Sequence, residues 1–147
     1  MRIVLMRHGH AASEGADPAL SARGRASASA TAATLARTGG PKRIVHSPLR
    51  RAVETATLAV EACGGVECVE STRLLPTAAP ARAGAQLVQW GADVDTLLVV
   101  AHLPLLPGLS QWLCDRFLPF EPADAWCVEA DTATAWQGTF DVVGPLA

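Results

Sequence analysis

The sequence predicts an α/β protein with a mainly parallel central sheet flanked by helices, and three observations predict it. Short apolar runs alternate with helix-like segments along most of the chain. The runs within Arg2–Arg7 and Leu97–Ala101 are continuously apolar, the pattern of strands buried on both faces. Polar residues gather directly behind the strand ends, where open α/β sheets hold their ligands.

Each element has its own signal. Arg2–Arg7 is the first strand, and the chain turns polar at His8, Gly9 and His10. Ala11–Ala19, with Gly15, Asp17 and Pro18, reads as a loop. Leu20–Thr38 has apolar residues at helical spacing, Leu20, Ala28 and Leu35 among them, and stops at Gly39-Gly40. Lys42–His46 is a second short strand. Ser47 then suits an N-cap and Pro48 the first position of a helix from Leu49 to Cys63, ended by Gly64-Gly65. Val66–Val69 is a third strand, Pro76 and Pro80 mark a loop, and Arg82–Trp90 is a helix. Leu97–Ala101 is the most apolar run and the predicted central strand. Pro104–Phe117 contains a helix that ends before Pro119. Trp126–Glu129 and Thr134–Val143 form a closing strand pair that fits an antiparallel arrangement, with a local irregularity at Gln137-Gly138.

A chain of 147 residues, half of them apolar and 18% charged, fits one domain spanning residues 1–147 around one core. Its net charge of −2 sets up no basic field, so nucleic acid is not an expected partner. Cys63, Cys68, Cys114 and Cys127 form no zinc-like spacing and read as free thiols in a reducing compartment. The apolar run Ile3–Met6 is too short for a signal-peptide core, and nothing approaches the ~20 apolar residues of a membrane span. A cytoplasmic protein without membrane contact is expected.

The chemistry concentrates at three strand ends: Arg7-His8-Gly9, then His46-Ser47-Pro48 with Arg50 and Arg51 a turn later, then Ala101-His102. Brought into one crevice, these histidines and arginines suit an anion. Guanidinium forks match phosphate oxygens, and a helix starting near Pro48 adds its positive end. Gly9 removes a side chain where a substrate must approach. The strand ends carry no carboxylate set for two metals, and neither a G-x-x-x-x-G-K-[ST] loop nor a G-x-G-x-x-G turn is present, so no metal or cofactor is expected. A side-chain catalyst remains, and His8 is the candidate. A neutral imidazole can attack phosphorus, provided its other nitrogen is fixed, for instance by a backbone carbonyl in the same turn. Neighbouring positive charges depress its pKa and keep it unprotonated.

Read together, these residues resemble the histidine phosphatase superfamily, which includes the phosphoglycerate mutases. Arg7-His8-Gly9 matches its R-H-G motif, and Leu20-Ser21-Ala22-Arg23-Gly24 is similar to its L-[ST]-x-x-G segment. Ser47-Pro48-Leu49-Arg50-Arg51-Ala52 with Thr55-Ala56 resembles S-x-x-x-R-A-x-x-T-A, and Leu98–His102 resembles the strand bearing the second histidine. Within the superfamily, the short length, His102-Leu103-Pro104-Leu105 and the compact closing strands resemble the SixA-type phosphohistidine phosphatases. The resemblance implies a bacterial enzyme that dephosphorylates histidine on a phosphorelay or phosphotransfer protein. It makes His8 the nucleophile, Arg7 and Arg51 phosphate clamps, and His102 the second histidine of the pocket, with Arg50 at a variable position.

Two departures bear on the substrate. Thr77 stands where many members carry a glutamate general acid, and His10 follows Gly9. His10 is either a proton donor or a polar loop residue; His46 is either a substrate contact or a packing residue. Trp90, Trp112, Trp126 and Trp136 read as core or rim, with Trp126 and Trp136 alternatively lining a docking surface. An alkyl phosphate expels an alkoxide that needs a proton, whereas phosphohistidine expels an imidazole whose conjugate acid has a pKa of ~6.5. Thr77 therefore favours phosphohistidine on a protein, and the short segment between Glu70 and Thr96 leaves no insertion for a lid. The rival readings are a small-molecule phosphomonoesterase on the same fold, and a non-catalytic phosphate- or phosphoprotein-binding module.

Overall fold

The computed structural model describes residues 1–131 and 140–146. Among the described residues six strands form one sheet: β1 (Arg2–Arg7), β2 (Arg43–His46), β3 (Glu67–Glu70), β4 (Thr96–Ala101), β5 (Ala125–Glu129) and β6 (Asp141–Pro145). Their order is β3-β2-β4-β1-β5-β6. The first four in this order run parallel, and β5 and β6 are antiparallel to their neighbours. The helices among the described residues are α1 (Ala22–Arg37), α2 (Arg50–Ala62), α3 (Pro80–Trp90) and α4 (Leu105–Cys114), with a 3-10 turn at Thr72–Leu74. The predicted class and the antiparallel closing pair are both present.

The alternation of the strands sorts the core into two layers. Ile3, Leu5, Val45, Leu97 and Val99 join Leu87 of α3 and Leu105, Leu106 and Leu109 of α4. Val4, Met6, Ile44, Leu98 and Val100 join Ala28, Ala32 and Leu35 of α1 and Ala52, Ala56 and Ala59 of α2. Apart from Leu35 the sheet-facing residues of α1 and α2 are alanines, and the two helices pack closely against each other. That closeness is what later brings α2 against the end of β1.

Several boundaries differ from the sequence expectation. α1 starts at Ala22 rather than Leu20, because Leu20 N–H is taken by Glu54 and Leu20 forms an antiparallel bridge to Ala11. Ser21 is its N-cap and accepts from Gly24 N–H. α2 starts at Arg50, and Ser47 is not its N-cap; Leu49 holds that position without a side-chain cap, and Ser47 serves another purpose described below. Pro80 opens α3 instead of lying in a loop, as its fixed φ allows at a first helical position. The turn at Thr72–Leu74 had no signal in the sequence. β6 covers Asp141–Pro145, a shift from Thr134–Val143; the earlier part of that span, with Trp136 and Gln137-Gly138, lies outside the described residues.

Two glycines bind α1 to the end of β1. A Cβ at Gly9 would meet the Gly24 carbonyl at 2.7 Å, and a Cβ at Gly24 would run into the His10 backbone. Helix packing thus gives a reason for Gly9 that the sequence did not show, beside the ligand access expected there. Glycine to alanine within a helix ordinarily stabilises by about 1 kcal/mol. Gly24→Ala should do the reverse, destabilising the protein by about 1–3 kcal/mol through overpacking, as measured by urea unfolding.

Candidate active site

Strand order assembles the site. β4 lies between β1 and β2, and the ladders continue past the strand ends: His8 N–H donates to Ala101 O at 3.1 Å and Ser47 N–H to Val100 O at 3.2 Å. The chain thus leaves three adjacent strands at the same level, carrying Arg7-His8, Ser47 and His102 to one edge. The His8 and His102 rings stand 4.9 Å apart between centroids, tilted by 53°.

His8 is held on both ring nitrogens. Nδ1–H donates to the Gly9 carbonyl at 2.7 Å, and Nε2 accepts from Arg51 Nε at 3.3 Å. The proton is therefore on Nδ1 and the lone pair on Nε2. Thr55 fixes the turn beneath: its hydroxyl accepts from Gly9 N–H at 3.0 Å and donates to Arg51 O at 2.8 Å. One threonine on α2 thereby joins the backbone of the histidine turn to the backbone of the arginine. Its place in the sequence motif marks it, but nothing in the sequence says what it touches.

His102 is 1% exposed. Its Nε2 lies 2.7 Å from Ser47 Oγ, and that oxygen accepts from Leu49 N–H. His102 Nδ1 is buried and has no hydrogen-bond partner; Arg7 Nε is the other such atom among the described residues. Arg7 is anchored through Nη1 to the Phe120 carbonyl at 3.0 Å. Buried polar nitrogens left without partners are costly, and with the His102 proton on Nδ1 both would be donors that an anion's oxygens could satisfy.

Electrostatics keep both rings uncharged. Burial lowers the His8 pKa from 6.5 to about 4; its bond to Gly9 O opposes this, and Arg51 and Arg7 add to the fall. Burial likewise lowers His102 to about 3, helped by His8, Arg51 and Arg7. Arg50, one residue from Arg51, points elsewhere and pairs with Glu54 at 2.9 Å. Glu54 also accepts from Leu20 N–H and Arg25, and Asp17 accepts from Arg50 N–H, so the loop after His10 is tied down to α2.

The remaining candidates make other contacts. His10 Nδ1 is 2.7 Å from Ser21 Oγ and Ser21 Oγ donates to His10 O, so His10 braces the start of α1. His46 is buried and donates from Nδ1 to Ser47 O at 2.8 Å, a local bond that orients Ser47. Thr77 is exposed in the turn between the 3-10 segment and α3. Trp126, on β5, donates to Pro119 O. Among the described residues, no group of three or more His, Cys, Asp or Glu is arranged to hold a metal, and no helix is long and apolar enough to cross a membrane.

Both folded-state histidine values lie below 6.5, so between about pH 4 and 6.5 the unfolded chain binds more protons than the folded protein. The stabilisation is present above pH 6.5 and is lost as pH falls. Unfolding by urea should show wild type losing a few kcal/mol between pH 7 and pH 4.5. His102→Gln should lose less over the same interval, since one of the two buried imidazoles is gone.

Comparison with known proteins places these features. Residues 3–77 match the family model of the histidine phosphatase superfamily, branch 1. No curated protein matches by sequence. Among solved structures, the chain is similar to the protein histidine phosphatase SixA complexed with tungstate, with a TM-score of 0.89 at 23% identity, covering 100% of this chain and 97% of that one. It is similar to the putative phosphohistidine phosphatase SixA of Agrobacterium tumefaciens, with a TM-score of 0.83 at 20% identity over 99% and 97% of the two chains. A mycobacterial glucosyl-3-phosphoglycerate phosphatase gives 0.79 at 22% identity over 99% and 98%. At these identities the likeness is one of fold.

Proposed function

The chain belongs to the histidine phosphatase superfamily, and from that premise we propose that it is a phosphatase in which His8 attacks phosphohistidine on a phosphorelay or phosphotransfer protein. One observation carries the mechanism: a buried neutral imidazole whose Nδ1–H is bonded to Gly9 O, leaving the Nε2 lone pair beside Arg51.

In the first step His8 Nε2 forms a bond to phosphorus and the substrate P–N bond breaks, its electron pair staying on the departing nitrogen. A substrate ring already protonated on its other nitrogen leaves as neutral imidazole. The phosphorylated His8 ring keeps its Nδ1 proton, and the Gly9 carbonyl stabilises the positive charge that develops there. Arg51 turns from Nε2 to a phosphoryl oxygen as the bond forms. Arg7 Nε and His102 Nδ1 supply further donors. The Ser47 hydroxyl assists by donating to His102 Nε2, which puts the His102 proton on Nδ1. Water then attacks phosphorus, the P–Nε2 bond breaks with its pair returning to His8, and inorganic phosphate leaves with the proton. We assign no part in this scheme to a metal or cofactor.

The substrate class follows from proton supply. An alkyl phosphate needs an acid at the leaving oxygen. His102, lowered to about 3, is neutral near pH 7 and a poor acid. Thr77 is no acid at all. Phosphohistidine asks least of such a site. The likeness to a mycobacterial glucosyl-3-phosphoglycerate phosphatase favours a second reading, a small phosphomonoester as substrate. The free thiols Cys63, Cys68, Cys114 and Cys127 accord with action in the cytoplasm.

His8→Ala should abolish turnover, and rapid-quench labelling should find acid-labile phosphate on wild type and none on the variant. Undiminished turnover in His8→Ala would end the covalent mechanism. The substrate assignment is tested by the ratio of kcat/KM for phosphohistidine to that for an alkyl phosphate. Wild type should favour phosphohistidine. Thr77→Glu should raise alkyl phosphate cleavage by about tenfold, part of the 10²–10⁴ that a positioned acid provides. Equal rates on both substrates in wild type would favour the phosphomonoesterase instead.

A further inference from the structure

A second cationic feature lies on the same edge of the sheet, outside the His8 cluster. Thr72, Arg73, Ala78, Ala79 and Arg82 line an open cleft of about 490 Å³ between the 3-10 turn and the start of α3. It follows β3 in the chain, and β3 neighbours β2, whose end carries Ser47. Ser71 N–H donates to His46 O at 2.9 Å, so the near wall of the cleft is bonded to the strand that leads into the site.

Arg25, Arg43 and Arg50 each pair with a carboxylate. Arg73 and Arg82 are exposed and enter no ion pair among the described residues. Arg23, Arg37 and Arg116 are likewise exposed with no ion pair among the described residues; what sets Arg73 and Arg82 apart is that they line one cleft together. Like charges on one concave surface repel, and among the described residues no carboxylate forms an ion pair with either. The first turn of α3 has no acidic residue and its N-cap, Ala79, has no side-chain acceptor, so the helix adds positive potential to the same cleft.

The walls are rigid. Leu74 is buried in the core with Ala78 packed against it, and Ser71 Oγ accepts from Arg73 N–H. Pro80 lies so near Gly108 of α4 that a Cβ there would come within 2.7 Å of it. A fixed, open, doubly positive cleft beside a phosphatase site suits carboxylates held on a larger molecule. It does not enclose a small one.

We propose that the Arg73–Arg82 cleft docks an acidic segment of the phosphohistidine-bearing protein, an inference that rests on the substrate class given above. The cleft contributes to capture and orientation and leaves the phosphoryl transfer itself unchanged.

Two synthetic peptides test it, each bearing one phosphohistidine. One is flanked by aspartate and glutamate, the other by asparagine and glutamine at the same positions. Wild type should favour the acidic peptide by about tenfold in kcat/KM, through KM, and the preference should shrink as salt is raised. The double variant Arg73→Glu/Arg82→Glu should lose the preference and keep wild-type kcat on the neutral peptide. Arg73→Gln/Arg82→Gln should fall between. An unchanged preference in the double variant overturns the proposal. So does a variant whose only loss is on 3-phosphoglycerate, which would make the cleft a subsite for small carboxylated phosphates. If wild type cleaves neither peptide, the substrate assignment has failed. Fluorescence anisotropy with the unphosphorylated acidic peptide then decides the cleft alone: weaker binding to the charge-reversed variant than to wild type supports it, and equal binding overturns it.

Discussion

The position of β4 between β1 and β2 is the constraint on which the rest depends. Residues far apart in sequence meet because three parallel strands end at one level and their ladders run one residue further, through His8 to Ala101 and Ser47 to Val100. Parallel pairing points all three ends the same way, so each strand delivers its first non-strand residue to a common edge. Moving β4 to the sheet edge would part His102 from Ser47 and from His8. No side-chain substitution could restore the contact.

On that frame the electrostatics follow from burial. Bringing two imidazoles out of water beside two guanidinium groups makes the cationic form costly, and both rings stay neutral with one N–H each. The arginines thus have two effects: they attract an anion, and they keep the proposed nucleophile unprotonated. Arg51 combines the two, since its Nε–H is bonded to the lone pair of His8. The proposed chemistry requires it to exchange that acceptor for a phosphoryl oxygen.

The motif residues that carry no chemistry prove to be contacts. Gly9 and Gly24 let α1 approach the histidine turn, Thr55 joins Gly9 to Arg51, and Ser47 holds His102. Ser47 shows how a local rule is overridden. Serine before proline and a helical segment reads as an N-cap, yet its hydroxyl lies against a buried imidazole and the helix begins uncapped three residues later. The tertiary need of His102 outweighs the modest gain from capping.

Sequence alone determined the class, the strands of the parallel core and the small set of residues able to do chemistry. Apolar runs of strand length and helices with small-residue faces leave few other ways to bury the chain. The R-H-G turn, the Arg51 position and His102 were legible because their residue types are rare at strand ends and recur in a known order. The sequence could not show that His10 braces a helix, that His46 orients Ser47, or that Gly9 answers to Gly24. It also could not show that Arg73 and Arg82, unremarkable in the chain, share a cleft. Those outcomes belong to the tertiary structure. Each depends on which partner lies within a few ångströms after packing, and that distance is set by residues from other elements.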